Sequence, residues 1–112
     1  MSATWIGTEQ IDAAIPADGE AVDAIVASCL AAAEQGDITA YYDLGVAFST
    51  GSQGVPCDMI EAHKWFNLAA VAGHEASQMC RGDVADEMTA REIAEAQRRA
   101  REWLSETSRK AA

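Results

Sequence analysis

Cys57, His63, His74 and Cys80 form a symmetric run, C-x5-H-x10-H-x5-C. Thiolate and imidazole are the usual ligands of zinc, but structural zinc sites set two donors about two to four residues apart on a tight knuckle. The intervals here are wider, so no metal is expected, and these residues read as small buried Cys and half-exposed His. The same residues offer pairs for nucleophilic catalysis, Cys80 or Cys57 with His74 or His63, in which the base would lower the thiol's pKa. Neither pair sits in a nucleophile motif. Gly51–Gly54 follows a helical pattern, not a strand, and reads as a turn between helices and not a phosphate cradle. A Cys/His-dependent hydrolase is therefore the least favoured reading: no enzyme activity and no cofactor are expected. With Cys29 the cysteines number three, at spacings of 28 and 23, without a C-x-x-C pair. That arrangement suits free thiols in a reducing compartment.

Arg98, Arg99 and Arg101 form the one basic cluster, but Glu95 and Glu102 are interleaved with them. A solvated, ion-paired helix face accounts for this better than a nucleic-acid stripe. The chain carries a formal charge of −10, which repels phosphates. All of it belongs to residues 1–63, which hold ten acids and no Lys or Arg; the remainder has eight of each sign. Such an imbalance serves as a solubility face or steers basic partners. No apolar run approaches the ~18 residues of a membrane span. The N-terminus, Met1-Ser2-Ala3-Thr4-Trp5-Ile6, lacks the basic start and apolar segment of a secretory signal, so a cytoplasmic protein is expected.

The elements that must position these residues are helical. Of 112 residues, 49% are hydrophobic, and 24 are Ala against four Leu and two Phe. Small apolar side chains favour closely packed helices over a sheet of β-branched residues. Over 20–35, Val22, Ile25, Val26, Cys29, Leu30 and Ala33 mark one helix face. Gly36 is a stop and Asp37 a cap for a helix over about 38–49, with Ala40, Tyr41, Leu44, Ala47 and Phe48 inward. Gly51–Pro56 makes a turn. Asp58, with Glu61 three residues on, opens a third helix whose buried face is Ala62, Trp65, Phe66, Ala69 and Ala70, ending at Gly73. A weaker fourth helix, about 75–87, has Met79, Val84 and Met88 apolar and Gly82 as an interruption. The fifth, about 90–105, opens on the capping box Thr89-Ala90-Arg91-Glu92 and turns Ile93, Ala96, Ala100, Trp103 and Leu104 inward, with Arg91–Glu95 and Glu95–Arg99 pairs outside. Residues 1–19 form a capping segment in which Trp5, Ile6 and Ile11 cover an end of the stack; residues 106–112 form a frayed tail. The expected fold is all-α, with about five main helices.

The chain also repeats. Ala32-Ala33 and Gly36 recur as Ala69-Ala70 and Gly73, and Gly45 as Gly82, all at a shift of 37. Residues 40–76 carry Ala40, Leu44-Gly45, Phe48, Gly51, Gly54-Val55, Asp58, Ala62, Trp65-Phe66, Ala69-Ala70, Gly73 and Ala76. This run resembles the Sel-one-like repeat, a relative of the tetratricopeptide repeat, whose pattern is A-x3-LG-x2-Y-x2-G-x-GV-x2-D-x3-A-x2-W-Y-x2-AA-x2-G. It departs in having Phe at 48 and 66 where Tyr is usual, and one extra residue between Gly51 and Gly54. The resemblance covers one full repeat, with degenerate half-repeats on either side within 20–105.

The resemblance implies a short α-α superhelix of helix-turn-helix repeats, whose concave face holds other proteins or peptides. Gly45 would let its helix approach Ala62 or Ala69, and Trp65 and Phe66 would fill the gap between pairs. By position, the groove would be lined by Thr39, Tyr42, Asp43, Val46 and Ser49, then by Met79, Cys80, Asp83 and Asp86. The aspartates would favour a basic or polar peptide, and Tyr42 either enters the groove or packs on the N-terminal segment. The function expected is a protein- or peptide-binding adaptor, monomer or homodimer, with no nucleic-acid or membrane partner. The alternative is a homo-oligomeric structural or regulatory protein. Disulfides tie the helix pairs of some secreted proteins resembling this family, but the paired cysteines are missing here. Trp65→Ala is expected to cost about 3–5 kcal/mol in a urea titration; an unchanged midpoint would remove the packed-repeat expectation.

Overall fold

Two glycines 37 residues apart end helices in the same way. In the computed structural model, which describes residues 19–111, Gly36 has φ +84° and Gly73 φ +103°. Each residue that follows donates its N–H back to an alanine carbonyl, Asp37 to Ala32 at 3.1 Å and His74 to Ala69 at 3.0 Å. The glycines themselves donate to Ala33 and Ala70 at 2.9 and 3.0 Å. This left-handed termination satisfies the last carbonyls of a helix and favours a residue without Cβ. Asp37 and His74 then cap the helices that come next. The two turns thus share one backbone geometry at a spacing of 37 residues.

Five helices result: α1 (Gly19–Glu34), α2 (Ile38–Thr50), α3 (Met59–Val71), α4 (Glu75–Ala85) and α5 (Ala90–Ala111), with no strand among the described residues. The starts of α2 and α4 are themselves 37 residues apart. Asp58 caps α3 through Glu61 N–H at 3.1 Å. The Thr89–Glu92 box closes reciprocally at 2.9 and 3.1 Å. Trp5, Ile6 and Ile11 lie outside the described residues.

Helix α3 is the hub, packing on α2, α4 and α5, while α1 packs on α2. Its faces divide between two clusters. Trp65, Leu68 and Ala69 join Ala33, Ala40, Tyr41, Leu44 and Ala100. Ala62 and Phe66 join Val84, with Tyr42, Val46, Met59, Cys80 and Met88 partly buried around them. Trp65, 2% exposed, stacks on Tyr41 at 6.0 Å and meets Trp103 edge-on at 4.9 Å. The Lys64 ammonium lies 4.3 Å from the centre of the Trp65 ring and 5.4 Å from that of Trp103. Arg99 reaches Glu61 at 2.7 Å and so fastens α5 to α3 across 38 residues.

Several expectations are corrected. What lies nearest Gly45 is the ring of Phe66, where Ala62 or Ala69 was expected: a Cβ there would lie 2.6 Å from two ring carbons. Gly82 does not share that role, because nothing lies within 4 Å of the Cβ it lacks, and α4 runs through it unbroken. Leu104, expected inward, is 47% exposed. Helix α5 continues past Ser105 to Ala111, where a frayed tail was expected. Glu95 is held by Arg98 and Arg99, at 2.9 and 2.7 Å, and not by Arg91. These two guanidinium groups bring its carboxyl down to about 2.

Phe66 is 2% exposed and has little room to yield. Gly45→Ala should therefore cost about 1–3 kcal/mol by overpacking. Adding Phe66→Leu should return part of that loss, a non-additivity that urea denaturation of the single and double variants will measure.

Candidate functional site

Helices α2 and α4 both rest on α3, and the space between them is a groove of about 330 Å³. Its floor is Phe66 with Met59, from α3. One wall is Val46, Ser49 and Thr50 of α2; the other is Cys80, Asp83 and Val84 of α4, with Glu87 in the turn beyond. The α2 wall follows from helical spacing, since 46, 49 and 50 are three and four residues apart and share a face. Asp83 and Glu87 are likewise four apart. Ser49 and Thr50 donate their hydroxyls to the Val46 carbonyl at 3.1 and 2.8 Å, so the wall presents carbon atoms more than donors. Neither the Asp83 nor the Glu87 carboxylate has an ion-pair or hydrogen-bond partner among the described residues.

A second cavity, about 410 Å³, lies on the α1 side of α2, lined by Val26, Cys29, Tyr42, Asp43 and their neighbours, including Val46. Burial, with Asp43 and Asp37 adding negative charge, pushes the Cys29 thiol up from its ordinary value, away from the nucleophilic thiolate.

The expected groove residues divide accordingly. Val46, Ser49, Cys80 and Asp83 line the groove between α2 and α4. Asp43 faces the cavity beside α1. Tyr42 serves less as a free contact than as a strut: its ring is 5.9 Å from Phe66 and 4.9 Å from His74, joining α2, α3 and the start of α4. Thr39 sits in the first turn of α2, its N–H donated to Asp37, and lines neither cavity. Met79 lines neither cavity and is 74% exposed. Asp86 lines neither cavity and caps the C-terminus of α4. Thr50, Met59 and Glu87 were not anticipated. Thr50 and Glu87 lie four residues after Val46 and Asp83, a relation that extends the same faces and could have found them.

The Cys and His residues are not brought together. His74 Nδ1 accepts the Ser77 N–H at 3.2 Å and lies 2.8 Å from its hydroxyl, so this ring is occupied as the cap of α4. Cys57 is exposed, its Sγ 3.5 Å from the Ser49 carbonyl. Among the described residues no Cys and His are hydrogen-bonded, and no three His, Cys, Asp or Glu gather as a metal ligand set.

The comparisons with known proteins are negative. The chain matches no family model, no curated protein and no solved structure. No described helix is long and apolar enough to cross a membrane.

His63 is buried at 3% exposure, and its Nδ1 has no hydrogen-bond partner among the described residues. Burial, and then the nearby Arg81 charge, lower its pKa from the usual 6.5. A depressed histidine pKa in the folded state means that the unfolded chain binds the proton more readily. The neutral ring's contribution is therefore complete above the unfolded value and is lost as pH falls through it toward the folded one. Stability measured by urea denaturation should fall from pH 7.5 to pH 5, and His63→Leu should flatten that slope.

Proposed function

We propose that this chain is a Sel-one-like helical-repeat module that holds another protein or peptide in the groove between α2 and α4, and that it performs no catalysis. The observation that carries this reading is the groove itself, apolar at its floor and open along two helices that start one repeat apart. The paired Gly36 and Gly73 turns support the repeat reading, since a spacing of 37 lies within the roughly 20–45 residues of stacked repeat units. The occupied His74 cap, the buried His63 and the raised Cys29 pKa argue against thiol chemistry. A homodimer is the second reading, favoured by the exposed apolar side chains Val71 and Met79, at 72% and 74%.

A photo-cross-linking side chain at Thr50, in the groove, should capture a discrete partner in native-cell extract. The same group at Arg101, an exposed position of α5, should not. Equal products from both positions, or none from Thr50, would count against the groove as the binding face.

A further inference from the structure

Charge and shape together restrict what the groove between α2 and α4 can hold. Its floor and inner walls are carbon and sulfur, from Phe66, Met59, Val46, Val84 and Cys80. Its volume of about 330 Å³ is roughly twice a cavity of ~150 Å³ that encloses a benzene ring. One or two large side chains therefore fit. The outer wall carries the carboxylates of Asp83 and Glu87, four residues apart, both exposed and both without a partner among the described residues. Like charges lining one wall repel each other. Elsewhere the carboxylates of Glu61, Glu95 and Glu102 are each matched by a cation of the same molecule. Among the described residues no such cation lines the groove. Helices α1 and α2 contain no Lys or Arg, and Arg81, the one base of α4, is turned to Asn67 of α3 at 2.7 Å. An anionic ligand is repelled by this wall, while a hydrated metal ion gains nothing from a floor of Phe66 and Met59.

We propose that the groove takes a peptide segment that seats a large apolar side chain on Phe66 and sets a lysine or arginine against Asp83 and Glu87. This partner chemistry rests on the proposed binding function and goes beyond it, since that function does not specify the partner's charge. Arginine suits the wall best, because its guanidinium can span two carboxylates while its stem covers the apolar floor. The charge pairing contributes rate and selectivity, and the buried apolar side chain contributes most of the affinity.

The test uses the full chain and random dodecapeptides displayed on phage. Occupancy is read from alkylation of Cys80, which lines the groove, against the exposed Cys57 as internal control. The expected result is enrichment of peptides with Lys or Arg close to a large aliphatic or aromatic residue. As synthetic peptides these should protect Cys80 but not Cys57 and weaken with salt. They should lose affinity by about tenfold or more in Asp83→Lys/Glu87→Lys, whose fold is checked by circular dichroism. Acidic or uncharged peptides that protect Cys80 equally well would overturn the proposed partner while leaving the groove as a binding face. Enriched peptides that leave Cys80 unprotected would overturn both. Cys80 protected without peptide would also overturn the proposal, through a second copy if the chain sediments as a dimer and through its own residues 1–18 if it sediments as a monomer.

Discussion

Phe66 occupies the space that a side chain at position 45 would fill. Because Gly45 has none, α2 can settle onto α3 with the aromatic ring between them, and several other distances follow from that contact. The ring's far side becomes the floor of the groove, its edge meets Tyr42, and Tyr42 in turn meets His74 at the start of α4. Three helices are thus referenced to one ring. A wider separation of α2 and α3 would change the groove's depth before it changed the groove's residues.

The other face of α3 is organised by Trp65, whose packing is less completely satisfied. Its indole N–H and that of Trp103 are buried without acceptors among the described residues. An unmet donor of this kind costs on the order of 1–3 kcal/mol. The aromatic contacts with Tyr41 and between the two indoles offset part of that cost, as does the ammonium of Lys64 above them. Specificity here comes from ring geometry and from the Glu61–Arg99 pair, which has one defined reach across the helix interface.

Helix number, caps and the buried faces of α2 and α3 were legible from residue spacing because each is set locally: Gly36 and Gly51 by positive φ, and Asp37 and Asp58 by capping. The partner of Gly45 was not, since a glycine announces a close approach without naming what approaches. Gly82 shows the converse, a match at the repeat shift that touches nothing. Spacing found Val46, Ser49, Cys80 and Asp83 because it orders side chains around a helix. It failed at Met79 and Asp86, each one residue away from Cys80 or Glu87 and so turned off the helical face that lines the groove. Met59 was invisible for a different reason: it enters the groove from the first turn of α3, where the path of the preceding loop decides its height. That loop includes Gln53 at φ +59°.

The charge distribution, read along the chain, separates the acids of the first half from the bases of the second. In the fold, α1 packs on α2 whereas α5 packs on α3. The span from α1 through α2 has acids alone, whereas α5 carries six bases and four acids. A body so charged has a permanent dipole, and in the field of a distant charged surface it experiences a torque as well as a net force. It can rotate while still a Debye length away, about 8–10 Å at moderate ionic strength. Orientation then begins before contact, and the side presented to a cationic surface is the one without α5.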